Sequence, residues 1–410
     1  GLIMTDDISM KALSGSFEAK SRAAIRAGVD VVLHCHGIMD EMIAVAGVVP
    51  EMTGVRARRA NAALGRIRHE LEPVDLEAAR AEVAALVAGE AENVVFTSGA
   101  TEAINAVFAA GLSGCCGKEI ACAMAPVVSA TEHSAVHAAA GPGARVIPVD
   151  GNGLVDAEAL KALLAETGPA LVAIQLANNE SGVVQDIPAL AAIVHAAGGA
   201  LLVDAVQAPG RIALDITALG ADALILTAHK FAGPKGIGAI IFPDSKTRLA
   251  SALLKGGGQE RGQRGGTENL IGIAGLGAAA KAARAALADV EKVIHLRDEF
   301  ENHLRRFSND LQIVCAEAPR LPNTSLFAVS GLTSDRALIA FDLDGVAVSA
   351  GSACSSGKVK ASHVLNALGV PDWVKAGAIR VSLGPTTEWA DLERCLSSLE
   401  RQLARKGKAA

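Results

Sequence analysis

The chain has 410 residues, 50% of them hydrophobic and 20% charged, with seven cysteines and a formal net charge of −6. Its length predicts two or three globular domains, its charge leaves no electrostatic footprint for nucleic acid, and an odd cysteine count without a Cys-x-x-Cys pair argues against a disulfide framework and a zinc site. No apolar run reaches the ~18–20 residues of a membrane span and the acidic N-terminus is no signal peptide, so a cytoplasmic protein without a membrane partner is expected.

Gly1-Leu-Ile-Met-Thr-Asp-Asp7 reads as a short strand ending in carboxylates, 16–28 as a helix, 30–35 as a second apolar strand and 51–70 as a basic helix. This β-α-β-α order suits two units of a barrel, whose functional residues sit at strand ends. His34 and His36 flank Cys35, but strand alternation turns Cys35 away from them, so an ordinary strand end and no metal site is expected. The opening string, with Ala-Gly-Val-Asp-Val-Val-Leu-His-Cys-His-Gly37 after it, resembles the C-terminal end of family 3 bacterial β-N-acetylhexosaminidases. That resemblance implies Asp6 as the glycosidic nucleophile. A retaining glycosidase also needs a separate proton donor, and the strands that would carry it are missing. Asp6 is therefore expected to be a vestige without hexosaminidase activity.

The charged, Pro-bearing stretch 70–75 predicts a boundary. The expected division is 1–72 for this fragment, 73–260 for a large domain, and 261–410 for the end of that domain and a smaller C-terminal one. After a helix at 76–88, strands are expected at 94–97, 144–149, 170–176, 200–204 and 223–226, with helices at 100–110, 157–166 and 187–197. Alternation of this kind predicts an α/β fold with a largely parallel sheet. Ligands in such sheets bind outside the carboxyl ends of the strands, where Thr97, Asn178, Asp204 and Lys230 fall.

The residue types there suit one chemistry. Lys230 follows a buried strand, where desolvation frees an amine to form a Schiff base. Ser98-Gly-Ala-Thr101 is a strand-to-helix turn that favours an anion. Asp204, in apolar surroundings, needs a cationic partner such as a protonated pyridine nitrogen. Ser349 to Gly357 is a loop of small residues holding Cys354, and Arg380 lies in a strand-like context where a guanidinium suits a substrate carboxylate.

From about residue 76 onward these strings resemble the cysteine desulfurases, fold-type I pyridoxal-phosphate enzymes of the class V aminotransferase group. The resemblance implies pyridoxal 5'-phosphate as cofactor, with Lys230 as the Schiff-base lysine, Asp204 on the pyridine nitrogen and His133 stacked on the ring. It places Gln207 and Asn178 near the phenolic oxygen and substrate. Ala100, Thr101, Thr227 and His229 would hold the phosphate, with Thr267 reaching in from a second subunit of a homodimer. Arg380 would bind the carboxylate of L-cysteine, and Cys354 would take its sulfur for delivery to a sulfur-acceptor or iron–sulfur scaffold protein. The family's N-terminal Ala-Thr-Thr strand and Gly-Asn-Pro-Ser-Ser segment are not found, so a desulfurase lacking that segment, with apolar surface left uncovered, is expected. Two competing readings are a selenocysteine lyase or other class V enzyme acting at the same lysine, and an inactive truncated fusion. Helices at 290–310 and 388–406 carry no chemistry.

Overall fold

The computed structural model describes residues 1–10, 12–66, 75–115, 125–307, 310–351 and 362–407, and the chain divides into two compact units, Gly1–Pro73 and Val74–Ala410. In the first, β1 (Met4–Asp7) and β2 (Val31–Leu33) pair in parallel, with α1 (Phe17–Arg26) between them and α2 (Met39–Ala46) and α3 (Gly54–Leu64) after them. Helix α1 starts where the Ser16 hydroxyl accepts the Ala19 N–H, satisfying one of the donors that a helix start leaves free. Helix α3 is shorter than the 51–70 helix expected from sequence, part of which lies outside the described residues.

The second unit begins with α4 (Leu76–Leu86), β3 (Val94–Thr97), α5 (Ala100–Ala110), β4 (Leu112–Ser113), β5 (Val127–Ser129), α6 (Ser134–Ala140) and β6 (Arg145–Ile147). It continues with α7 (Ala157–Thr167), β7 (Leu171–Gln175), α8 (Ile187–Ala196), β8 (Ala200–Asp204), α9 (Ile216–Leu219), β9 (Ala223–Thr227), β10 (Gly238–Ile241), β11 (Arg248–Leu249) and α10 (Leu270–Ala286). Seven strands form one sheet in the order β3-β10-β9-β8-β7-β5-β6. The run from β9 to β6 is parallel, while β10 is antiparallel to both β9 and β3.

Both faces of this sheet are covered, which is why its central strands read as unbroken apolar runs. Leu201, Val203, Leu224 and Leu226 pack on one side against α8 and α10 through Leu190, Val194, Ile273 and Leu276. Leu202, Ala223 and Ile225 face the other way onto Ile104 and Val107 of α5 and Val136 of α6. Helix α10 belongs to a stretch, Leu270–Phe307, that is long and apolar enough by composition to cross a membrane. Its Leu276 and Ala280 are fully buried, and a Cβ on Gly277 would meet the Ala79 Cα at 2.7 Å, so close is α4. That is the environment of a core helix.

Two strands of the seven-stranded sheet were not expected from sequence. β5 has three residues, too few for periodicity to register, and β10 opens from a glycine-rich turn that reads as loop. A smaller antiparallel sheet follows, built from β12 (Leu311–Ile313), β13 (Thr324–Val329), β14 (Ser349–Ala350) and β15 (Ile379–Ser382) in the order β12-β13-β15-β14. With it come α11 (Val290–Phe307), α12 (Ser334–Leu343), α13 (His363–Ala367), α14 (Asp372–Gly377) and α15 (Trp389–Gly407). Phe300, Phe327, Phe341 and Leu399 form its core. The mostly parallel large sheet and the smaller α+β part agree with the fold expected from sequence.

Candidate active site

Outside the carboxyl ends of β7, β8 and β9 lies a cavity of about 450 Å3, a volume in the range of small-molecule and cofactor sites. Of the residues singled out from sequence, Ala100, Thr101, His133, Asp204, Gln207, Thr227, His229 and Lys230 line it. Their positions follow from the fold. Asp204 is the last residue of β8, Thr227 the last of β9, and the 3-10 turn Ala228–Lys230 carries the lysine over the strand ends. Ala100 and Thr101 open α5, where first-turn N–H groups have no acceptor within the helix. The preceding Gly99 has φ +151°, and a Cβ on Gly238 of β10 would meet the Gly99 Cα at 2.8 Å, so this turn can lie against the strand only if both are glycine.

Burial dominates the electrostatics. Asp204 is 9% exposed and accepts the Val206 N–H at 2.9 Å. Burial pushes its carboxyl up to about 6, against the pull of the Val206 N–H and the Lys230 charge. Beside it lies Glu132, which is fully buried. One Glu132 oxygen accepts the Gln175 N–H at 2.7 Å, and the other has no hydrogen-bond partner among the described residues. Burial first, and the Asp204 charge second, hold Glu132 well above the usual carboxylate range. Two buried carboxyl groups therefore oppose each other's ionisation, and Lys230 is the cation that acts on Asp204.

His133 caps α6: its Nδ1 accepts the Ala135 N–H at 3.2 Å. That leaves the ring proton on Nε2. Burial, then Lys230 and His363, lower its basicity, so the ring is neutral at pH 7. Arg211 fixes the opposite wall, donating to the Gln207 carbonyl at 2.5 Å, to the Gln207 side chain at 3.2 Å and to the Lys230 carbonyl at 3.1 Å.

The remaining expected residues stand elsewhere. Asn178 does not line the cavity. Its Oδ1 accepts the Glu180 and Ser181 N–H groups at 2.8 Å each and its Nδ2 donates to the Thr131 carbonyl at 3.1 Å, which commits the side chain to its own turn. Asn179 lines the cavity in its place, and its carbonyl accepts from Arg380 at 2.5 Å. Arg380 thus stands behind Asn179, with its Nε buried and without a partner among the described residues. Thr267 lines a neighbouring cavity that shares Ser98 and Gly236 with the first. Arg264, which lines that same neighbouring cavity, is paired with Glu102 at 2.9 Å. Cys354 lies outside the described residues, but the chain on either side of 352–361 is anchored at one place. A Cβ on Gly351 would lie 3.2 Å from Glu180 Oε2, and Ser362 Oγ donates to that same oxygen at 2.6 Å.

Sequence reasoning passed over Glu132, Gln175, Asn179 and Arg211. The one available signal was a glutamine ending the otherwise apolar β7, since a polar side chain at a parallel strand's carboxyl end points at the site.

The arrangement fits a phosphorylated pyridine aldehyde. Asp204 is a buried carboxyl waiting for a cation, the α5 turn offers N–H groups and the Thr101 hydroxyl to a phosphate, and Lys230, whose charge acts on both Asp204 and His133, is the amine.

Comparison with known proteins agrees. The family model described as Aminotransferase class-V matches residues 58–395. A cysteine desulfurase of Cereibacter sphaeroides is 40% identical over 336 residues, covering 79% of this chain and 83% of that protein. Cysteine desulfurase IscS of Dictyoglomus turgidum is 36% identical over 338 residues, covering 80% and 83%. Among solved structures, the NifS-like protein of Rickettsia africae has 31% identity and a TM-score of 0.71, covering 85% of this chain and 96% of that one. A structure of SspA in complex with cysteine has 26% identity and a TM-score of 0.62, covering 82% and 90%.

Proposed function

The chain belongs to the aminotransferase class-V family, as one of its cysteine desulfurases, and from that premise we propose how its residues turn L-cysteine into L-alanine and a Cys354 persulfide. The observation that carries the reading is Asp204 and Lys230 facing one cavity, a buried acid and an amine at adjacent strand ends. Pyridoxal phosphate, held by Lys230, Asp204, His133, Gln207, Thr227, His229 and the Ala100–Thr101 turn, supplies an electron-accepting ring that makes the substrate Cα–H acidic.

The protein's residues do the rest. Asp204 would pair, ionised, with the ring nitrogen and hold a proton there. The Lys230 amine would take the substrate Cα proton and return a proton to Cα of the product. The Arg380 guanidinium, whose Nε has no partner among the described residues, and the neighbouring Arg211 charge would bind the substrate carboxylate. Cys354 attacks as thiolate: a bond forms between its Sγ and the substrate sulfur while the substrate Cβ–S bond breaks, its electron pair staying on Cβ, which takes up the proton of the substrate thiol to become the methyl group of alanine. Alanine leaves, the persulfide remains, and an acceptor or iron–sulfur scaffold protein collects the outer sulfur. Asn179, which lines the cavity, takes the place beside the substrate first given to Asn178.

We further read residues 1–72 as a hexosaminidase-like fragment, supported by the parallel β1–β2 pair with Asp6 exposed at a strand end. Chemistry at Asp6 has no proton donor in this reading. Seven cysteines and a working thiolate suit the reducing cytoplasm, and Thr267 is the residue expected to serve a second subunit.

The deciding experiment is a visible absorption spectrum of the purified chain with pyridoxal phosphate, beside Lys230→Ala. A band present only in the parent chain supports the reading, and its absence overturns it. Cys354→Ser should then keep that band and lose persulfide formation.

A further inference from the structure

The first unit holds a cluster of donor atoms that the desulfurase chemistry does not use. After β2 the chain passes through His34-Cys35-His36 and turns into α2, bringing Glu41 of its first turn onto both imidazoles. Glu41 Oε2 lies 2.7 Å from His34 Nε2 and 3.3 Å from His36 Nδ1. The three donor atoms all fall within 4.8 Å of one another. The two rings stand at 79°, with centroids 5.9 Å apart, so they converge on the carboxylate instead of stacking. Among the described residues, these two rings are the only ionic partners of Glu41.

We propose that His34, His36 and Glu41 bind one first-row divalent cation of the zinc type. Two imidazoles and a carboxylate, with a fourth position left to water, are a donor set that zinc takes readily. Zinc–donor bonds of about 2.0–2.2 Å in a tetrahedron give donor–donor edges of roughly 3.3–3.6 Å. The His36–Glu41 edge already has that length. The His34–Glu41 edge widens as their hydrogen bond gives way to the metal, and neutral His34 then carries its hydrogen on Nδ1.

The burial pattern suits such a site. The His34 side chain is 6% exposed and that of His36 47%, a closed floor with one open side for ion and water. Cys35 stays out of the set. The donor atoms that converge are those of His34, His36 and Glu41. His34 Nδ1 is buried with no acceptor among the described residues. Losing such an outer partner weakens metal sites by about 10–100-fold, so the titration calls for micromolar protein.

The test is addition of cobalt(II) to the tag-free full chain, to parent, His36→Ala and Glu41→Gln. The parent should gain one equivalent of a visible ligand-field band without sulfur-to-metal charge transfer, and zinc should displace it. Both variants should lose that band while keeping the parent's thermal melting profile. A parent chain without the band overturns the site whatever the variants do. So does a band accompanied by thiolate charge transfer, or one that persists unchanged in both variants.

Discussion

His363 donates through Nε2 to the backbone carbonyl of Glu132 across 2.7 Å, joining the first turn of α13 to the residue before His133. A carbonyl only accepts, so the ring hydrogen must be on Nε2. The other contact of the ring is edge-on to His137, with centroids 5.4 Å apart. This bond ties the start of α13 to the residue before His133, which lines the cavity.

His363→Phe keeps the ring contact and removes the hydrogen bond, which is worth about 0.5–1.5 kcal/mol net. Alanine production from cysteine should fall roughly 2- to 10-fold, with the lysine-dependent absorbance unchanged. Equal rates in parent and variant would disconnect this bond from function.

The two buried acids predict a pH dependence for the cofactor-free chain. Asp204 is raised to about 6 from an ordinary 3.8. The folded state therefore disfavours its charged form. Stability present below about pH 3.8 is lost as pH climbs through about 6, and Glu132, also raised, adds to the loss. Urea melts across this range should show Asp204→Asn gaining on the parent by an amount on the order of 2–4 kcal/mol. Glu132→Gln, which keeps an acceptor for the Gln175 N–H, should likewise gain on the parent as pH rises. Parallel pH profiles for parent and Asp204→Asn would contradict the assignment.

Neighbouring asparagines should fail in different ways. Asn178→Ala leaves the Glu180 and Ser181 N–H groups without their acceptor in a buried turn, at a cost of about 1–3 kcal/mol each, and should lower Tm. Asn179→Ala removes a side chain that faces the cavity, and should lower kcat/KM with little change in Tm. Thermal melts beside steady-state rates separate the two.

Arg380→Lys tests the carboxylate site. A lysine ammonium cannot reproduce a bidentate fork, so KM for cysteine should rise at least tenfold, or about 1.4 kcal/mol, while cofactor absorbance stays. An unchanged KM would move carboxylate binding to another residue, with Arg211 the first to examine.

Much of this molecule was legible before its structure. Lys230, Asp204 and Thr227 each end or follow an unbroken apolar run, and an apolar run closed by a polar residue marks both a buried strand and its functional end. Asn178 and Asn179 show the limit. Two adjacent asparagines in one turn are identical to any reading by composition or spacing. Only the path of the Ala177–Gly182 turn gives the first to backbone amides and the second to the cavity.

The sequence by itself determined a largely parallel sheet, all of its strands but β5 and β10, and the residue types gathered at their ends, because periodicity and strand-end chemistry are local. What only the tertiary structure decided are meetings between distant residues. Glu132 lies against Gln175 and Asp204, Arg211 reaches the Lys230 carbonyl, and His363 meets the Glu132 carbonyl. Even Glu41, only a few residues from His34 and His36, needed the turn into α2 to reach them. Such contacts are set by how helices and strand ends pack, and burial then sets how each charge behaves.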